Sequence, residues 1–393
     1  MNPDSDGLFP VQDRGVPMSA PDGELRDLLA LHLVPGLGPR LTAALLERFG
    51  TAARVLRAGP SQLQSVPHIG PNLSTSLHEA MQQIDVEAEL ALMERSNVRL
   101  LALGTPDYPA PLAEIPDAPH LLYMRGSLEP RDVNAVGVVG SRHCTSYGRK
   151  MAERLATGLV RAGYTVVSGL ARGIDGAAHR AALEAGGRTI AVLAGGLSSI
   201  YPPEHADLAD AVAASGALLT ESVMGQAPLP STFPPRNRII SGLSQAIVLV
   251  EAAERSGALI TATHAAEQGR IVMAVPGPAD QGTSAGTNGL IRQGAILVRS
   301  IDDILEDLQG LHAPLSARSA TAEPSLFPEP LGKDPELDDT QRRVWEFLAG
   351  QERHLDQMVQ HLGLSVAQLS GLLLGLEIKR IVRRLPGNRY ERC

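Results

Sequence analysis

Seven short runs rich in β-branched and other apolar residues recur between positions 134 and 300: Ala135 to Val139, Thr165 to Ser168, Thr189 to Ala194, Ala217 to Thr220, Ala246 to Val250, Ile271 to Val275 and Ala295 to Val298. Each is separated from the next by a stretch of helical periodicity. Strands that read as unbroken apolar runs are buried on both faces, and strands joined by helical crossovers run parallel. The alternation therefore predicts an α/β fold with a Rossmann-like, doubly wound, mostly parallel sheet as its core. In such a sheet ligands bind outside the carboxyl ends of the strands, so the loops that follow the strands are where chemistry is expected.

The rest of the chain divides around this core. Residues 1–22 mix Pro, Gly, Asp and Ser without periodicity and read as a disordered arm. From 23 to 100, apolar residues fall at helical spacing, at Leu25, Leu28 and Leu29, at Leu41, Leu45 and Leu46, and at Met81, Ile84, Ala88 and Leu92. Within this helical segment Val34-Pro35-Gly36-Leu37-Gly38 is repeated in layout by Val66-Pro67-His68-Ile69-Gly70. The repeat resembles a helix-hairpin-helix (SAM-like) pair, in which amides at a helix N-terminus face a DNA phosphate. Packing of helices alone would require the same hairpins, and His68 replaces the first Gly of the second copy. The core is expected over 101–310, a linker over 311–339 and a separate tail over 340–393. That tail reads as helices Thr340 to Ala349, Leu355 to Leu362 and Ser365 to Lys379, then a hairpin around Pro386-Gly387, the order of a winged helix.

Charge and cysteine content narrow the class. Thirty-five Lys and Arg against 43 Asp and Glu give a net charge of −8, unlike a strongly basic nucleic-acid binder. The acidity, however, lies in arm and linker: 311–339 carries −4, whereas 340–393 carries +4. Cys144 and Cys393 are too few for a disulfide framework or a cysteine zinc site, and no apolar run reaches the ~18 residues that span a bilayer. A cytoplasmic protein with no membrane partner is expected.

Three loops of the core hold the candidate site. Gly140-Ser141-Arg142, followed by Thr145 at the start of a helix, offers amides, hydroxyls and a guanidinium suited to phosphate. Ser168-Gly169-Leu170-Ala171-Arg172-Gly173-Ile174-Asp175 offers Gly for close backbone approach and a second Arg, which Asp175 is expected to orient. Phe233-Pro234-Pro235-Arg236-Asn237-Arg238, read as a loop leading into a helix from Ile239, combines an aromatic ring with two cations. Singly, each Arg could equally be an internal ion pair. Further loops, 251–261 and 282–288, add Gly and small polar residues.

Several enzyme classes find no support. The first strand is not followed by GxGxxG, no lysine stands in a P-loop, and Gly282-Thr283-Ser284-Ala285-Gly286 is too far from its strand for a nucleophile elbow. His143, His179, His205 and His264 are isolated from one another, and Cys144 has no evident base. No cofactor and no metal are expected.

Taken in order, these strings resemble the DNA-processing protein A family (DprA, also called Smf): Gly140-Ser141-Arg142 with Thr145 and Tyr147-Gly148; 168–175 with Ala178-His179; Tyr201-Pro202-Pro203; Phe233 to Ser244; Ser256 to Ala262; and Val275-Pro276-Gly277. Ser198 and Ser222-Val223-Met224 depart from the family's wording, outside the Arg-bearing loops. The resemblance implies a non-enzymatic protein whose core binds single-stranded DNA, forms a homodimer and loads the RecA recombinase during natural transformation, with a role in DNA repair. Carried over residue by residue, the phosphate pocket would be Gly140, Ser141, Arg142 and Thr145, with Arg172, Arg236, Asn237 and Arg238 extending the groove. Together with the loop readings, the expected site also takes in Ser168, Gly169 and Phe233. Dimer contact is expected around Thr287 to Ile296.

In the tail, the third helix has no Lys or Arg between Ser365 and Glu377. Lys379, Arg380, Arg383, Arg384, Arg389 and Arg392 cluster instead at the hairpin. Backbone contact with duplex DNA, or a protein partner, fits that distribution better than base reading. Two rival classes make distinct predictions. A nucleotide-cleaving Rossmann-like enzyme would release free base, although Gly195-Gly196 is followed by Leu197-Ser198 rather than by the Gly-Gly-x-Gly-Thr setting of such enzymes. A protein scaffold would bind no strand at all.

Overall fold

The computed structural model describes residues 22–312, 339–348, 353–378, 381–385 and 389–392. The expected N-terminal arm (to residue 21), most of the linker, Lys379, Arg380, the Pro386-Gly387 turn and Cys393 lie outside the described residues. The chain divides into two compact units, 1–314 and 315–393.

Unit one is organised by a nine-stranded sheet. Its strands are β1 (Arg99–Ala102), β2 (Leu121–Gly126), β3 (Ala135–Val139), β4 (Thr165–Ser168), β5 (Thr189–Val192), β6 (Ala217–Thr220), β7 (Ala246–Leu249), β8 (Ile271–Ala274) and β9 (Ile296–Leu297). All seven expected strands are present. They pair in parallel, and the order across the sheet is β1-β2-β6-β5-β4-β3-β7-β8-β9. The chain runs outward from β3 through β4 and β5 to β6, then returns to β7 on the other side of β3. The order of winding thus reverses beside β3, which is where a crevice opens at the strand ends.

Two strands were not expected. β1 and β2 pair antiparallel with each other, and β2 pairs antiparallel with β6. Their residues, Arg-Leu-Leu-Ala and Leu-Leu-Tyr-Met-Arg-Gly, hold no Val, Ile or Thr, so propensity gives little sign of them.

Alternation along the strands feeds two cores. Ala135 and Val139 of β3 face one side with Val167, Ile190 and Ile247, under the helices Phe233–Gly242 and Ala258–Glu267. Val136 and Val138 face the other, under Ser146–Arg161, Ile174–Glu184 and Ile301–His312. The N-terminal helices Gly23–His32 and Val86–Arg95 complete a third cluster through Leu29 and Met93.

The two N-terminal hairpins share one backbone. Helices Pro39–Phe49 and Pro71–Met81 each start with Pro after a Gly N-cap at φ −90° and −81°. His68 takes φ +70°, matching Gly36 at +85°, so the missing Gly does not change the turn. No described helix is long and apolar enough to cross a membrane.

Buried His179, on the helix after β4, is fully enclosed with Nδ1 2.7 Å from Thr189 Oγ1. Burial pushes its pKa down from 6.5 to about 3. The unfolded chain therefore binds a proton below pH 6.5 that the fold refuses. Stability is complete above that pH and is lost, at up to about 1.4 kcal/mol per pH unit, as pH falls toward 3. His32, also pushed down by burial, acts in the same sense. In urea titrations from pH 7 to 4.5, His179→Gln is expected to flatten the acid-side slope. An unchanged slope would assign acid sensitivity elsewhere.

Unit two holds helices Asp339–Phe347, Leu355–Leu362 and Val366–Ile378. Its three-stranded sheet joins Arg353–His354, Val382–Leu385 and Arg389–Arg392, the last in the centre. The helices and antiparallel hairpin match the expected winged helix, and the short strand Arg353–His354 is an addition. Val344, Met358, Leu369, Leu373, Leu376 and Tyr390 form its core.

Candidate functional site

A groove of about 760 Å³ opens at the carboxyl ends of the strands where the winding reverses. The loops after β3 and β7 face each other across it. They are tied together, because the Ser141 amide donates to the Glu251 carbonyl at 2.7 Å. The loop after β4 is tied in as well, through the Ile174 amide donating to the Ser141 carbonyl at 3.2 Å.

Of the expected residues, Gly140, Ser141, Arg142, Phe233, Arg236 and Asn237 all line this groove. Gly169 and Arg172 line a smaller adjoining cleft, which shares Arg142, Tyr201, Phe233 and Arg236 with the groove. Aromatic rings and cations alternate along the shared wall. The Arg142 guanidinium lies 4.4 Å from the Phe233 ring centroid, Phe233 meets Tyr201 edge-on at 6.5 Å, and Arg172 lies 5.8 Å from the Tyr201 ring. Tyr201 is 42% exposed, so its ring is open to solvent between the two cations.

Arg142 is exposed and has no carboxylate partner among the described residues, so its charge faces solvent across the groove. Arg255, also exposed and unpaired among them, lines the groove from the loop after β7. Sequence reasoning noted the small polar residues of that loop and passed over Arg255. The position of β7 beside β3 is the signal that would have found it. Tyr201, quoted only as part of a signature string, was likewise not named as a site residue.

Arg236 is buried rather than free. Its Nη1 donates to the Gly169 carbonyl at 2.7 Å and to the Val192 carbonyl, and its Nε donates to Asn237 Oδ1 at 3.1 Å. Burial lowers its pKa from 12.5 to about 10, which still leaves it charged at neutral pH. Asn237 in turn reaches the Gly257 carbonyl at 3.4 Å. These two residues tie the loops after β4 and β7 and the end of β5 to one helix.

That helix starts at Phe233, six residues before the expected start at Ile239. Pro234 and Pro235 fit its first turn, where no amide is needed. The earlier start separates the two cations. Arg236 and Arg238 are two residues apart on a helix, so their side chains diverge by about 200°.

Three expected site residues line neither the groove nor the adjoining cleft. Arg238 turns away to Glu221 (Nη2–Oε2 2.5 Å) and Asp117 (3.5 Å) and is buried. Ser168 is fully buried, its hydroxyl donating to the Val138 carbonyl at 2.6 Å. Thr145 is engaged by the Glu251 carboxylate, which accepts from its amide at 2.9 Å and its hydroxyl at 3.3 Å. The N-terminus of helix Ser146–Arg161 thus already carries an internal anion, as its dipole favours.

Asp175 does not orient Arg172. Its Oδ2 accepts from the Gly169 amide at 3.2 Å, and burial raises its pKa against the opposing field of Arg236. Arg172 pairs instead with Glu204, whose carboxyl it holds below the usual range. Among the described residues no cluster of His, Cys, Asp or Glu could hold a metal ion.

A family model described as DNA recombination-mediator protein A matches residues 99–309, and one described as DprA winged helix domain matches residues 328–388. Protein Smf of Synechocystis sp. is 34% identical over 388 residues, covering 93% of this chain and 98% of its own length. Protein Smf of Escherichia coli is 40% identical over 307 residues, covering 77% of this chain and 79% of its own. The X-ray structure of DNA processing protein A from Streptococcus pneumoniae aligns with a TM-score of 0.63 at 37% identity, covering 72% of this chain and 97% of that one.

Proposed function

The chain belongs to the DNA recombination-mediator protein A family, and from that premise we propose that it binds single-stranded DNA without sequence preference in the strand-end groove and delivers it to the RecA recombinase. The observation that carries the reading is the wall Arg172-Tyr201-Phe233-Arg142. Every base has a face that can stack on an aromatic ring, and every nucleotide a phosphate for a guanidinium, so such a wall favours a strand over a duplex and is tolerant of sequence. Among the described residues the groove offers no nucleophile and base in contact, which supports binding without catalysis. The proposed setting is cytoplasmic, in natural transformation and DNA repair, with no cofactor and no membrane partner. Terminal helical and winged units are a candidate contact for duplex DNA.

The test is fluorescence anisotropy of a labelled oligo-dT strand across a salt series with a duplex competitor. Log affinity is expected to fall linearly with log salt, the strand to outcompete duplex, and Arg142→Ala to weaken binding about 10- to 100-fold, since a charge-assisted hydrogen bond contributes about 1.5–3 kcal/mol. Phe233→Ala should cost a similar factor through lost stacking. Equal binding by Arg142→Ala and the parent would remove the groove from the function. Delivery is read with RecA on strands coated with single-strand binding protein: a shortened lag in ATP hydrolysis supports it, and an unchanged lag refutes it.

The proposed homodimer pairs through the region Thr287 to Ile296. Ile291 is partly exposed there and Leu297 is 40% exposed on β9, the edge of the sheet. Light scattering of Ile291→Asp, within that region, should report the monomer mass. A dimer that survives this change would place the contact elsewhere.

A further inference from the structure

Helix Ser146–Arg161 runs away from the groove, starting shortly after the Gly140-Ser141-Arg142 turn that lines it. Gly148, Met151, Ala152, Leu155, Ala156 and Leu159 pack its inner face on the sheet. The outer face presents Arg149, Lys150 and Arg154, all exposed and none with an ion-pair or hydrogen-bond partner among the described residues.

Arg149 and Lys150 stand near the N-terminal end of this helix, where, among the described residues, the Glu251 carboxylate is the one anion supplied from within and is held by Thr145. The first turn of the helix holds no acidic residue and ends at Arg149, next to Lys150, where the helix dipole favours negative charge. Glu153, also exposed, is the one carboxylate of this helix, and it pairs with none of the three. One exposed face of this helix is thus positively charged and internally unpaired, and the helix begins just after the turn that lines the groove, a placement that suits an external polyanion. Arg161 is set apart, because a cation suits the C-terminal end of a helix.

We infer that this outer face is a second track for the strand, with Arg149, Lys150 and Arg154 neutralising phosphates of nucleotides that leave the groove past Arg142. The inference rests on the proposed strand-binding function and adds its length dependence. Arg149 and Arg154 are about 7.5 Å apart along the axis at about 1.5 Å per residue, close to one extended nucleotide step.

The test uses the full chain, oligo-dT strands of about 6 and about 30 nucleotides, and the triple variant Arg149→Gln, Lys150→Gln, Arg154→Gln, with anisotropy read across a salt series. Gln has nearly the helix propensity of Arg and Lys, and loss of a first-turn cation should leave the melting temperature no lower than the parent's. For the long strand the salt slope should become shallower by about 2, three contacts at about 0.7 each, with affinity at least about tenfold weaker. The short strand should bind variant and parent alike. An unchanged slope on the long strand overturns the inference while leaving the groove reading intact, and so does an equal loss on both strands. If the variant binds both strands normally but fails to shorten the RecA lag, the face serves a protein partner and the second track is refuted. A parent that binds neither strand defeats both readings together.

Discussion

Gly173→Ala is expected to destabilise the first unit by more than about 3 kcal/mol and to abolish strand binding at any temperature where the variant is folded. Two effects combine. Gly173 has φ +74° and ψ −122°, a region that residues with a side chain avoid, and entering it costs about 1–3 kcal/mol. A Cβ there would also collide with the Ser141 carbonyl oxygen and lie 2.7 Å from that of Arg142. Relief requires the loops after β3 and β4 to separate, which breaks the Ile174 to Ser141 hydrogen bond and carries Arg142 off the face of Phe233. The stability loss and the binding loss thus have one cause. Urea unfolding and oligo-dT anisotropy on the same preparation check it. A variant of parental stability, or one that is destabilised yet binds at parental affinity, would show that contact between the two loops is not what builds the groove.

How much of this was legible in the sequence depended on which physical signal each residue leaves. The parallel strands announce themselves because burial on both faces demands uninterrupted apolar runs. β1 and β2 do not, since Leu, Tyr and Met serve helices as readily as strands. Two of the site loops followed from topology: once β3 is the first strand of a doubly wound sheet, the residues after β3 and β4 lie at its strand ends, whereas Arg255 after β7 needed the placing of β7 beside β3. Direction of individual side chains did not follow. Whether Arg236 and Arg238 share a surface turns on where their helix begins, and two consecutive prolines look like a loop until the first turn is recognised as the place that tolerates them. Thr145 was equally opaque, because the carboxylate that claims it, Glu251, is 106 residues distant in the chain. Non-local pairings of this kind carry no periodicity and no composition.

Arg236→Leu is the second substitution with a large expected effect, and its value lies in separating a buttress from a ligand. The guanidinium satisfies the Gly169 and Val192 carbonyls and opposes the buried charge of Asp175. Leucine fills part of the volume but removes the donor to two carbonyls and leaves Asp175 only the weaker opposing field of Arg142. Breaking one side of a buried charged arrangement costs about 3–5 kcal/mol. For a unit of this size that is a fall in melting temperature of roughly 6–20 °C, toward the lower end because the unit is large. Loss of the cation also pushes the Asp175 carboxyl further up, so the variant should recover stability as pH falls and that group takes up a proton, opposite to the trend set by His179. Arg236→Lys should be intermediate, since an ammonium keeps the charge and lacks the planar fork. Arg142→Ala, at an exposed position, should lower the melting temperature far less, losing mainly an exposed cation–π contact of about 0.5–1 kcal/mol, while weakening the strand. If Arg236→Leu instead melts with the parent and loses affinity as Arg142→Ala does, Arg236 contacts phosphate directly and the buried geometry is not the one that binds.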